Sequence, residues 1–288
     1  MVRNNTCCPT FLFANAGPWF VVLGAVFSDK VIVQRLTDYI WTGMDSSLND
    51  VHCRRVARVM YALQKNVVRL RNYYTGLSLV TASPDELPPR FCPSVREYRD
   101  EDQSLVEFKY RRPLEDHPAC VTFLAETVEE RPKSVVVKFV QRYGEEAHRI
   151  LAREGMSPKL FYYGGIGARD GDPSYGALRM VVMEYIEGTT LGEAKKLLQV
   201  PSSAKGQIKE ALKHLHNNGL VFGDLRPPNI IITDNGDVKL VDFDWAGVHG
   251  ESQYPFLLSS VLQWPDGVEG LAIMETRHDI DMLEQLFV

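Results

Sequence analysis

The chain is poor in the features that would tie it to an oxidising compartment, to nucleic acid or to a membrane. Its 288 residues hold five cysteines, at 7, 8, 53, 92 and 120, an odd number with no C-x-x-C pair. That argues against a disulfide framework or a zinc site and for a reducing, intracellular and cytoplasmic setting. The formal net charge is −5 and no basic block stands out, so no nucleic-acid partner is expected. Residues 10–27 are apolar apart from Asn15 and follow Arg3, which raises a membrane anchor or signal peptide. Asn15, Ala16, Gly17 and Pro18 break that run into pieces of strand length, too short for a span. Buried strands are the expectation there, and no membrane partner.

What is present is ordinary globular composition, 45% hydrophobic and 24% charged, in a length that admits one large domain or two smaller ones. Four regions can be drawn. Residues 1–80 read as an α/β extension: two or three short strands, then one long amphipathic helix over 50–74. On that helix Val56, Val59, Met60, Leu63, Val67, Leu70 and Tyr74 recur at spacings of three and four. Its other face carries Arg54, Arg55, Arg58, Lys65, Arg69 and Arg71, a set more often solvated than a docking face. Residues 81–104, with four prolines over 81–93, read as a linker. Residues 105–187 are mainly strands, and 188–288 mainly helices.

Chemistry is concentrated in three places. The clearest strand, SVVVKFV over 134–140, holds Lys138 inside an apolar run. A buried lysine without a partner is costly, so a carboxylate or a phosphate is expected beside it. A helix follows at 144–153, opening with Gly144, Glu145 and Glu146 and closed by Gly155. Residues 221–242, VFGDLRPPNIIITDNGDVKLVD, read as a loop holding an acid, a short hairpin and a second acid. Asp234-Asn235-Gly236-Asp237 is the turn signal, because such residues tolerate the positive φ that tight hairpins need. Asp224, Asn229 and Asp242 can then meet at one edge. Two carboxylates and an amide suit a hard divalent cation such as Mg²⁺.

This stretch resembles the catalytic loop and metal-binding hairpin of the protein-kinase-like superfamily, H-R-D-x-x-x-x-N followed by D-F-G. The Asp-to-Asn spacing is the same, and positions 224 and 242 are 18 apart, as is usual there. The Gly223-Asp224 form of the loop looks more like the aminoglycoside-phosphotransferase, Rio and Bud-type atypical kinases. The longer stretches "AGPWFVVLGAVFSDKVIVQRLTDYI", "VVVKFVQRYGEEAH" and "KLVDFDWAG" resemble uncharacterised fungal kinase-like proteins.

The resemblance implies an α+β, bilobal fold: an antiparallel-sheet small lobe, a shortened, mainly helical large lobe, and the N-terminal extension. It implies an ATP- and Mg²⁺-dependent phosphotransferase acting on the hydroxyl of a protein or a small molecule. Lys138 would bind the α- and β-phosphates, held by Glu146, with Glu145 as the rival. Glu184, Tyr185 and Ile186 would form the hinge that holds adenine through backbone groups. Asn229 and Asp242 would hold Mg²⁺, Asp224 would accept or orient the substrate hydroxyl, and Arg226 would neutralise the transferring γ-phosphoryl group. The His278-Asp279 pair can anchor the loop, though ordinary helix capping is the expected role.

Three departures from the family pattern matter, and the first of them, the missing glycine-rich loop, motivates an alternative, a pseudokinase that binds nucleotide or scaffolds partners; the intact lysine and both aspartates keep the active reading ahead. Arg111-Arg112-Pro113-Leu114-Glu115-Asp116-His117-Pro118-Ala119 stands where a glycine-rich loop belongs and contains no glycine. Phe222 replaces the loop histidine, and Asp244 replaces the glycine of D-F-G.

Overall fold

The computed structural model describes residues 5–28, 30–43, 49–78, 88–115, 121–167 and 175–287. Residues 81–87 of the expected linker, 116–119 of the glycine-free stretch and 168–174 of a Gly- and Asp-rich loop lie outside them. The chain divides into two compact units, Met1–Ser94 and Val95–Val288.

In the first unit, β1 (Thr10–Ala16) and β2 (Trp19–Phe27) pair antiparallel, from Thr10 opposite Ala25 to Ala16 opposite Trp19. Gly17, at φ +56°, makes the turn that separates the two apolar runs. β2 also pairs with β3 (Val31–Arg35) and β4 (Ile40–Trp41). Helix α1 (Asn49–Thr75) follows. Val56, Val59 and Leu63 pack against a small core of Phe20, Val22 and Ile40, while Met60, Val67 and Tyr74 remain exposed. Among the described residues no helix is long and apolar enough to cross a membrane.

The second unit is mixed α+β. Its main sheet has six antiparallel strands in the order β5-β6-β7-β8-β10-β9. The strands are β5 (Glu97–Arg99), β6 (Leu105–Pro113), β7 (Thr122–Thr127), β8 (Ser134–Val140), β9 (Leu160–Gly165) and β10 (Arg179–Glu184). The sheet thus takes in residues assigned to the linker: Glu97, Tyr98 and Arg99 pair with Glu107, Val106 and Leu105. Tyr98 is the reason, because its buried ring packs 6.3 Å from Phe108 and gives the short segment a hydrophobic anchor.

Helix α2 (Glu145–Arg153) leaves β8 and buries Ala147, His148 and Leu151. After β10 come β11 (Thr189–Thr190) and α3 (Leu191–Lys196), whose N-terminus is closed by a reciprocal capping box between Thr190 and Glu193. Helix α4 (Ala204–Asn217) supplies the central core face with Ile208, Ala211, Leu212 and Leu215. The expected hairpin forms as β13 (Ile230–Ile232) and β14 (Val238–Leu240), with Gly236 at φ +82° in its turn. β12 (Leu220–Val221) and β15 (Gly247–Val248) pair on either side of residues 222–246, and α5 (Thr276–Gln285) closes the unit.

Candidate active site

The loop between β12 and β13 is held from beneath. Asp279 on α5 is fully buried and accepts from the Phe222 N–H at 2.8 Å, the Gly223 N–H at 2.8 Å and His216 Nε2 at 2.9 Å. Asp279 thus anchors the loop backbone, while the helix capping expected of the pair falls to His278, whose Nδ1 accepts from the Glu275 N–H at 3.2 Å. Gly223 sits at φ +79°, and a Cβ there would run into the Met274 methyl. Only glycine fits this bend, which explains the Gly-Asp form of the loop.

The bend turns Asp224 inward. Its side chain is 4% exposed and both oxygens are engaged. Arg226 grips it in bidentate fashion, with Nη2 donating at 2.6 Å to Oδ2. Asn229 Nδ2 donates to the Asp224 carbonyl and to Oδ2, each at 2.9 Å. Burial pushes the Asp224 carboxyl up, against the opposing pull of Arg226 and Asn229. The Arg226 guanidinium lies 5.9 Å from the Trp245 ring centre. Asn229 makes both of these bonds through Nδ2, so they leave its Oδ1 unused.

Across the cleft, Lys138 projects from β8. Its side chain is 8% exposed and its Nζ meets two carboxylates, Asp242 Oδ1 at 2.7 Å and Asp244 Oδ1 at 2.8 Å. Burial works against the Lys138 charge, but the two aspartates more than offset it and hold the amine above the usual lysine range. Burial also opposes ionisation of Asp242; Lys138 overcomes it and holds that carboxyl low. Asp244, disfavoured by burial and then by the Asp242 charge, is pushed up to about 7. Asp242 itself sits at φ +67°, in the left-handed region, which turns its carboxylate back toward β8.

Here the expected lysine partner is corrected. Glu146 is exposed on α2, and Glu145 accepts from Arg149 Nε at 2.9 Å. The separation explains it: only Gln141, Arg142, Tyr143 and Gly144 lie between β8 and α2, and the Gly144 N–H donates to the Phe243 carbonyl at 2.8 Å. The start of the helix is thereby tied beside the loop after Asp242. Sequence reasoning noted Asp244 only as a replaced glycine. The signal available was its spacing of only two residues from Asp242.

The walls of the cleft enclose about 590 Å³, a size that suits a small organic ligand. Val136, Met183 and Ile231 give it an apolar slot, and Lys138, Asn229 and Asp242 its polar end. Glu184, Tyr185 and Ile186 line the rim. The Glu184 N–H is taken by the Lys159 carbonyl at 2.8 Å and the Tyr185 N–H by the Ser134 carbonyl at 3.2 Å. Ile186, the next residue, also lines the cleft. Behind it all, Phe243 stacks on His148 with ring centres 4.5 Å apart and meets Phe222 edge-on at 5.4 Å. His148 is fixed by Tyr143 Oη at 2.6 Å and the Pro158 carbonyl at 2.8 Å.

Residues 174–262 match the family model described as protein kinase domain. The matched span contains the hinge, Asp224, Arg226, Asn229, Asp242 and Asp244, and leaves out Lys138. A probable serine/threonine-protein kinase of Streptomyces coelicolor is 39% identical over 77 residues, covering 25% of this chain and 11% of that protein. A serine/threonine-protein kinase of Mycosarcoma maydis is 36% identical over 80 residues, covering 25% of this chain and 10% of the relative. A probable serine/threonine-protein kinase of Clostridium acetobutylicum is 37% identical over 95 residues, 30% of this chain and 13% of the relative. The chain spans only a tenth to an eighth of the length of these relatives. Over this segment the chain is similar to the protein kinase domain family.

Proposed function

We propose that the chain is an atypical, two-lobed phosphotransferase that moves the γ-phosphoryl group of ATP to the hydroxyl of a protein or a small molecule. The observation that carries this reading is the meeting of Lys138 with Asp242 across the cleft, 2.7 Å apart, beside the Asp224–Asn229 pair. Phosphoryl transfer asks a protein for positioning and charge, and this constellation supplies both.

The donor set suits Mg²⁺. Its protein ligands are oxygens, and Mg²⁺ commonly takes one or two carboxylates and leaves the rest to phosphates and water. Asp242 and Asn229 Oδ1 would hold it, and when bound it neutralises charge on the phosphates. Lys138 would bind the α- and β-phosphates, Ile186 would donate to adenine, and Asp224 would orient the acceptor hydroxyl. Arg226 would release one Asp224 oxygen on acceptor binding and turn toward the transferring group.

Calorimetric titration of ATP with Mg²⁺ tests the site. The wild type should bind, and Lys138→Ala and Asp242→Ala should each weaken binding by about tenfold or more. Absence of binding to the wild type overturns the reading. One observation favours the alternative of a non-catalytic nucleotide-binding or scaffolding module: both Asp224 oxygens are already occupied by Arg226 and Asn229. Asp224→Ala separates the two. An enzyme keeps nucleotide binding and loses about 10²–10⁴-fold in phosphoryl transfer or ATP hydrolysis, whereas a scaffold loses nothing.

A further inference from the structure

A lysine as buried as Lys138 needs an anion beside it at all times. Two carboxyl groups meet it, Asp242 at 2.7 Å and Asp244 at 2.8 Å. Asp242 is the carboxylate assigned above to the cation, and a carboxylate bonded to a divalent ion has little charge left for a neighbouring ammonium. The helix glutamates do not replace it. Glu146 is exposed, and Glu145 is spent on Arg149. Nor does the helix have slack to bring them in. The Gly144 N–H bond to Phe243 ties its first turn to the loop, and the Phe243 ring stacks on His148 from its interior. Asp244 is differently placed. Its Oδ1 is buried and, among the described residues, forms no hydrogen bond beyond its ion pair with Nζ.

We infer that Asp244 is the positioning residue for Lys138, filling from the loop the place that resemblance gave to Glu146 on the helix. It acts through the lysine and does not itself touch the phosphates. The third position of D-F-D is then a functional gain: glycine there would leave Lys138 dependent on Asp242, which cannot serve ammonium and cation equally well. The inference rests on the nucleotide reading for its purpose, but the pairing itself is testable without any ligand.

The first measurement is a chemical-denaturation cycle on Lys138→Met, Asp244→Asn and the double variant. Lys138→Met should destabilise the wild-type background more than the Asp244→Asn background. Additive effects overturn the pairing. The second is titration with ADP and Mg²⁺. Asp244→Asn should weaken binding about tenfold, Asp244→Glu should restore part of that loss, and Glu146→Gln should change nothing. In the Lys138→Met background Asp244→Asn should cause no further loss. Wild-type affinity in Asp244→Asn, or an equal loss in Glu146→Gln, overturns the inference. Mn²⁺ titration at saturating ADP, followed by electron paramagnetic resonance, should give the same bound Mn²⁺ for wild type and Asp244→Asn; loss of bound Mn²⁺ in the variant would make Asp244 a metal ligand instead and overturn the inference. A wild type that binds no nucleotide sinks the proposed function, and the denaturation cycle still decides which carboxylate holds Lys138.

Discussion

Helix α1 and helix α4 show the same apolar spacing and meet very different fates. Over its 27 residues α1 buries none, although Val56, Val59 and Leu63 lean on the small core of its own unit. Over 14 residues α4 buries Ala204, Ile208, Ala211, Leu212 and Leu215 completely or nearly so. Periodicity marks which face of a helix is apolar. It does not say how much apolar surface stands opposite. α4 faces α2, α5 and the β13–β14 hairpin, whereas α1 has a sheet whose inward residues are few. Helical stability comes mostly from such packing, so the two units should differ sharply in what a single truncation does.

The largest effect is expected at Phe243, wholly buried between Phe222, Tyr143 and His148. Phe243→Ala should cost about 3–5 kcal/mol in urea denaturation. A cost below about 1 kcal/mol would show that the core of the second unit is looser than its burial implies. Next is acid. Burial lowers the His148 pKa from 6.5 to about 4. The unfolded chain then takes up a proton that the folded one refuses, so stability is lost as pH falls from about 6.5 to about 4. The full loss is about 3 kcal/mol. His148→Gln should flatten that part of the pH profile; an unchanged slope would assign it to other groups. Smallest is Met60→Ala on α1, where the side chain is already 44% exposed. It should change stability by less than about 0.5 kcal/mol. A loss of 2 kcal/mol or more would erase the contrast between the helices.

The same contrast governs what could be read from sequence. The β13–β14 hairpin was legible because its signals are local: a turn at Gly236, two β-branched runs and acids at fixed spacing. Lys138 was legible as a charge in an apolar strand. Its partner was not, since Asp242 lies 104 residues away and helix α2 offered glutamates much nearer. Asp279 was read as a cap because its role depends on two backbone N–H groups donated from 56 and 57 residues upstream. Glu97–Arg99 was read as linker because three residues carry no periodicity; only the Tyr98 ring on Phe108 makes them a strand.

The short tie at Gly144 also bears on inhibitor chemistry. A side chain there would meet the Ala246 carbonyl at 2.7 Å, and the Gly144 N–H is bonded to Phe243. A compound that needs Phe243 swung out of its slot would have to break that bond, unstack His148 and separate the helix from the loop. Its apparent affinity is reduced by the fraction of molecules already in the open form. Compounds shaped to the closed cleft, between Val136, Met183 and Ile231, carry no such handicap. Ligand selectivity at this site should therefore run against the flipped-out class and toward the class that accepts the cleft as it stands.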